Sequence, residues 1–242
     1  MTVIFFDTET TGNRETDRLC QLAAKERGVS EPIVNATYTP PVPISIESMA
    51  VHHITPKMIE GRPSFIEAPE YGKIKEIFES HGNVSVAHNA SFDVGMLSRE
   101  DIYPSSVICT YKVAVALDTE EKIDSYRLQY LRYYLGLEVE AVAHNAMGDV
   151  LVLEAIFERL YAKVREKHES DEVALKEMVE ISSRPVLLST FKFGKYNGMK
   201  IADVAKSDAG YLEWLLAQKK KTPESEADWI YTLEKHLGIS NL

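Results

Sequence analysis

The chain is 242 residues long with 45% hydrophobic and 26% charged residues. That length allows one large core, or one core with an appendage, and the composition excludes collagenous, fully disordered and disulfide-scaffold chains. Acidic residues outnumber basic ones 37 to 27, a net charge of −10, which argues against a protein that coats long nucleic acid by counterion release. Two cysteines, Cys20 and Cys109, point to a reducing setting. The opening MTVIFFDTET lacks a basic signal region, and no apolar run approaches the ~20 residues of a membrane span, so a soluble cytoplasmic protein is expected.

Residues 3–6 (VIFF) form a short β-branched and aromatic run closed by polar residues, which predicts a buried strand. Residues 19–26 and 33–38 predict two further strands in an opening meander. Five prolines between 40 and 63 exclude an interior helix or central strand, so this stretch is expected to be a long surface excursion with at most short helices. Next come an amphipathic helix ending near Glu79, a buried strand over 83–87 and a helix from about Phe92. A strand over 107–110 follows, with helices over 128–134 and 147–167. Strands that give way to alternating strand and helix predict an α/β fold with a mixed sheet flanked by helices.

A second unit is expected from His168. Ser170, Asp171 and Glu172 make a good helix start, because a hydroxyl cap and early acids suit the orphan N–H groups. Residues 189–201 alternate apolar and polar about Asn197-Gly198, a hairpin turn signal, and a helix over 211–217 closes the unit. From Arg184 to Lys221, eight basic residues stand against three acids, a local excess in an acidic chain. The lysines at 192, 195 and 200 alternate with Phe191, Phe193 and Tyr196. That pattern reads either as a nucleic-acid contact or as a small aromatic core with a solvated basic face.

The chemistry-bearing residues sit at the predicted element ends. Asp7 and Glu9 lie two apart on the first strand and so point to one face. Two such carboxylates repel unless they are hydrated or bound to metal. Asp93 follows the second buried strand, and Asp149 opens a helix five residues after His144. Each acid alone also reads as an ordinary turn or early-helix residue. Their order and joint placement carry the signal.

The segments FDTETTG (6–12), HNASFD (88–93) and HNAMGD (144–149) resemble the three exonuclease motifs of the DnaQ-like, DEDDh group of 3′→5′ exonucleases. Residues 189–216, with FGKYNGMKIADVAKSDAGYLEWLL, resemble the C-terminal segment of its exonuclease X-type members. The resemblance covers nearly the whole chain. It implies an RNase H-like exonuclease domain over 1–167 and an exonuclease X-type hairpin-and-helix unit over 168–242 in possible contact with nucleic acid. It also implies Asp7, Glu9, Asp93 and Asp149 as ligands of two Mg²⁺ ions, with Mn²⁺ able to substitute and Asp7 best placed to bridge. Four carboxylates bring a charge near −4, which two divalent cations balance, and an all-oxygen set suits magnesium.

On this reading His144 is the general base, and Thr10, Thr11, Met49, His52, His88, Asn89 and Phe92 contact the last nucleotides of a DNA 3′ end, single-stranded or overhanging. The expected activity is release of 5′-mononucleotides from DNA in repair or end processing. An RNA-trimming or polymerase-proofreading relative, and a noncatalytic nucleic-acid-binding protein, are the alternatives. Gln21 stands where many of the group carry an acid, at a position that is not a metal ligand there, and its effect is expected to be small.

Overall fold

The computed structural model describes residues 1–140, 145–222 and 226–239. Strand β1 (Thr2–Thr10) pairs antiparallel with β2 (Leu19–Glu26), which pairs antiparallel with β3 (Pro32–Thr37). On its other edge β1 runs parallel to β4 (Asn83–Ala87), and β4 runs parallel to β5 (Val107–Cys109), giving the mixed order β3-β2-β1-β4-β5. The proline-rich excursion holds two short helices, α1 (Ile46–His52) and α2 (Pro56–Ile59), and is followed by α3 (Tyr71–Glu79). Helices α4 (Ser91–Ser98), α5 (Thr110–Leu117), α6 (Leu128–Tyr134), α7 (Ala146–Arg165) and α8 (Asp171–Ser183) follow. This is the mixed α/β architecture expected.

Alternation along β1 divides the core. Val3 and Phe5 face α7, where the Phe5 and Phe157 rings meet edge to face at 5.2 Å. Ile4 and Phe6 face the opposite layer, where Phe6 meets Phe78 of α3 at 5.0 Å. Both faces of the strand are therefore apolar, as a central strand covered on each side requires. Helix α7 is also tied by charge to β2 and the turn after it: Lys25 Nζ lies 2.6 Å from Glu154, and the Arg27 guanidinium grips both oxygens of Glu158 at 2.6 Å while lying 4.3 Å over the Tyr161 ring.

The chain divides into compact units at 183/184, whereas the sequence places the boundary at 167/168. The Ser170 cap is present, its Oγ accepting from the Val173 amide. The helix it opens nevertheless buries Ala174, Leu175 and Met178 in the same core as Phe5 and Phe157, and Ser182 Oγ accepts from the Cys109 amide at the end of β5. A helix start shows where an element begins and leaves open which core takes its apolar face.

The second unit contains α9 (Ile201–Ser207), α10 (Ala209–Lys219) and α11 (Ala227–His236). Its core gathers Phe191, Ile201, Val204, Leu212, Leu215, Leu216 and Leu233, with the Phe191 and Trp229 rings stacked at 5.5 Å. The expected hairpin is reduced to one antiparallel bridge, Thr190 to Lys200. Asn197 has φ −50° and ψ 127°, Gly198 has φ 86°, and the Met199 amide donates to the Tyr196 carbonyl. This is a type II turn, which needs positive φ only at its third position and so uses the glycine of Asn-Gly alone. No helix among the described residues is long and apolar enough to cross a membrane.

Candidate active site

The site forms where β1 outruns its neighbour. Pairing of β1 with β4 ends at Phe5 and Val86, while β1 continues to Thr10. The free edge of β1 beyond Phe5 is taken up by α4: the Thr8 amide (3.0 Å) and the Thr8 hydroxyl (2.7 Å) both donate to Asp93 Oδ1. Asp93 is thereby buried, 4% exposed, in the first turn of α4. Asp7 and Glu9 keep the facing of Phe5, toward α7. That helix is capped by Asn145, whose side chain accepts from the Gly148 amide, and this places Asp149 in its first turn. One carboxylate oxygen from each of Asp7, Glu9 and Asp149 lies within 4.8 Å of the others.

The cluster is electrostatically unbalanced. Burial first, then Asp93, Glu9 and Asp149, holds the Asp7 carboxyl well above the usual carboxylate range. Glu9 is pushed up to about 8 by burial and by Asp149 and Asp93. Asp93 rises to about 7 through burial, against the opposing pull of the two Thr8 hydrogen bonds. Such groups take up protons or cations. The donor set is all oxygen, and the converging acids match the preference of hard divalent ions for carboxylates together with water and phosphate oxygens. The residues present therefore fit a divalent cation.

Other predicted site residues divide into two groups. Thr10 Oγ1 donates to the Gly12 carbonyl, and the fully buried Thr11 hydroxyl donates to Asp17 and accepts from the Arg18 amide. His52 donates from Nε2 to the Thr10 carbonyl and accepts at Nδ1 from the Ile54 amide, and burial lowers its pKa. His88 donates from Nε2 to the Tyr126 carbonyl at 2.7 Å and accepts at Nδ1 from the Thr110 hydroxyl. Burial drops its pKa to about 4. These hydrogen bonds hold the four side chains to the surrounding turns and loops. By contrast Asn89 is exposed with φ 58°, Phe92 is 38% exposed rather than a helix core residue, and Met49 is half-buried beside Ile44 and Ile54. His144 lies outside the described residues. Gln21, opposite Glu9 on β2, contacts Asn35 through its amide.

One residue at the site escaped the sequence reading. Gln129 on α6 donates from Nε2 to Asp149 Oδ1 at 2.6 Å. Its sole sequence signal is an amide within the aromatic run LQYLRYY.

A family model described as Exonuclease matches residues 4–157, a span that contains all four acids, and a second, described as Exodeoxyribonuclease X-like C-terminal, matches residues 191–220. The chain belongs to the exonuclease family. Exodeoxyribonuclease 10 of Escherichia coli strain K12 is 32% identical over 178 residues, covering 73% of each chain. The DNA polymerase III subunit epsilon of Treponema pallidum is 32% identical over 168 residues, 65% of this chain and 75% of the relative. Among solved structures, exonuclease X in complex with 5′ overhanging duplex DNA matches with a TM-score of 0.59 at 25% identity, covering 74% of this chain and 99% of the other. The exonuclease is thus a phosphodiester hydrolase of RNase H-like fold, from a family that depends on divalent metal.

Proposed function

We propose that this exonuclease is a 3′→5′ exodeoxyribonuclease that removes 5′-mononucleotides from DNA ends in repair or end processing, within a reducing cytoplasm. The observation that carries the reading is the convergence of Asp7, Glu9 and Asp149 at the free end of β1, with Asp93 pinned to Thr8 beside them. The similarity to exodeoxyribonuclease 10 supports DNA as the substrate, and the matched exonuclease X structure, which holds overhanging duplex DNA, supports a 3′ end beside a duplex or on a single strand. Cys20 and Cys109 are both free and buried, in keeping with a reducing compartment.

On this reading Asp7, Glu9, Asp93 and Asp149 hold two Mg²⁺ ions, and the chemistry supplied there is neutralisation of charge on the phosphodiester and the departing 3′ oxygen. The protein's own work is to gather the acids and hold them against their repulsion. Thr8 fixes one oxygen of Asp93 with two donors, and Asn145 sets the start of the helix that delivers Asp149. His144, by its place in the third motif, takes the proton of the attacking water as the new P–O bond forms and the P–O3′ bond breaks. Positioned proton transfer contributes roughly 10²–10⁴ in rate. Met49, Asn89 and Phe92 are the contacts proposed for the terminal nucleotides.

For the second unit we propose a contact to nucleic acid beyond the cleaved end. Phe191 is core, but Phe193 is 38% exposed with Lys219 Nζ 5.2 Å from its ring centre, and Lys192, Lys195 and Lys200 are exposed on the same unit. Removing residues 184–242 is expected to spare cleavage of short oligonucleotides and weaken binding of longer ones; an equal effect on both lengths refutes the contact.

The activity is tested with matched DNA and RNA oligomers labelled at either end, with Mg²⁺, with Mn²⁺ and with EDTA. Mononucleotides released from DNA 3′ ends only when metal is present are expected. Faster hydrolysis of RNA would favour the trimming reading, selective removal of mismatched 3′ termini would favour proofreading, in keeping with the epsilon similarity, and no hydrolysis with either metal would leave a binding protein.

A further inference from the structure

Asp149 reaches the acid cluster with one oxygen already engaged. The C–C torsion that sets a carboxylate's plane is broad and roughly two-fold, so packing of the backbone does not by itself aim the group. Gln129 supplies the aim by donating from Nε2 to Oδ1 at 2.6 Å. An amide can present either end, and here the choice is made by its other neighbour: Arg132 Nη1 donates to Gln129 Oε1 at 3.3 Å. A guanidinium has only donors, so the amide oxygen must face Arg132 and the NH₂ must face Asp149. The spacing of three along α6 puts both side chains on one face.

Arg132 is itself anchored to the chain that enters the third motif. Its Nη2 donates to the Val139 carbonyl, and its own carbonyl accepts from the Leu137 amide at 2.9 Å. A continuous path of hydrogen bonds thus joins Asp149, through Gln129 and Arg132, to Val139, five residues before His144. Gln129, which donates to Asp149, is neutral. A lysine or arginine in direct contact would compete with a cation for the carboxylate, whereas an amide orients it and leaves its charge in place, with the guanidinium one hydrogen bond further back.

We propose that Gln129 and Arg132 are positioning residues of this exonuclease, Gln129 aiming Asp149 at the cation and Arg132 fixing which end of the Gln129 amide faces Asp149. This rests on the metal-dependent reading of the acid cluster. Partners in the shell around metal ligands are worth 10–100-fold in metal affinity or activity, and Gln129→Leu is expected to fall in that range.

The test measures Mn²⁺ affinity of the full-length, substrate-free protein by electron paramagnetic resonance or calorimetry, alongside kcat, KM and Tm. Gln129→Leu is expected to weaken Mn²⁺ binding about tenfold and lower kcat at least as much, with KM for a DNA oligomer within twofold and Tm within a few degrees of the parent. Arg132→Met, which frees the amide to turn and releases Val139, is expected to lower kcat about tenfold with a smaller loss of Mn²⁺ affinity. Mn²⁺ affinity and kcat of Gln129→Leu within twofold of the parent would overturn the proposal; should that variant not fold, Gln129→Met is read by the same criteria. A parent protein that takes up no Mn²⁺ would overturn the metal reading itself, a result distinct from a parent that binds and a variant that binds equally well.

Discussion

Helix α7 meets the sheet through charge at two places, and the two are built in opposite ways. Five and nine residues beyond Asp149, Glu154 and Glu158 are each matched by a cation, Lys25 of β2 and Arg27 just past its end. At the first turn Asp149 faces Asp7 and Glu9, and like charge meets like. Matched pairs fix where the helix lies, so the unmatched end is held in a place it would not choose. The difference teaches that the cost of the acid cluster is borne by neighbouring contacts, as stability and activity commonly trade at a site.

The widest contrast between the two places comes from breaking the unmatched one. Asp7→Asn removes a ligand and part of the repulsion together. We expect the hydrolysis rate to fall by roughly 10³, the equivalent of about 4 kcal/mol of transition-state stabilisation, while metal-free protein melts higher than its parent. Steady-state rates and thermal melts in EDTA check both, and a lower melting point would show that the acids do not strain the fold.

Breaking the matched end should do the reverse. Lys25 is buried, and Lys25→Met leaves Glu154 without its cation, at an expected cost of about 3 kcal/mol in denaturant unfolding. Lys25→Met with Glu154→Leu should recover most of that loss, because the penalty belongs to the orphaned charge. If the double variant is as unstable as the single, the pair contributes through geometry rather than charge balance.

His88 sharpens the comparison from a third side, since it is a half-buried polar residue made safe by neutrality. Its pKa in the fold is about 4, against ~6.5 in an unfolded chain. Between those values the unfolded chain takes a proton that the folded one refuses, so this contribution is full above pH 6.5 and is lost as pH falls toward 4. Relative to His88→Gln, wild type should lose about 2 kcal/mol between pH 7 and pH 5; parallel curves for the two proteins would refute it. Smallest is Glu158→Gln. Its carboxylate is 43% exposed, and the expected loss is at most ~1 kcal/mol, diminished by salt.

The acids were legible in the sequence because their placement is local. Asp7 and Glu9 share a face by strand alternation, and Asp149 opens a helix behind an asparagine cap. The hydrogen-bond partners of Thr11, His52 and His88 were not legible, because Asp17, Ile54, Thr110 and Tyr126 are brought into reach only by the folded turns and loops. Gln129 was missed for the same reason, its target lying 20 residues away. The strands were readable from apolar runs. The final helix carried a readable pattern at Trp229, Ile230, Leu233 and Leu237, but it follows a lysine run and a proline that obscured it.

The reach of β1 past β4 has a practical corollary. Only residues 88–90 separate the last residue of β4 from α4, and that short bridge sets how far Asp93 travels along the bare strand edge before it meets Thr8. Adding or deleting one residue there would shift the carboxylate by about the length of a strand residue, roughly 3.3 Å, more than any hydrogen bond tolerates. This three-residue connection acts as the gauge block of the site.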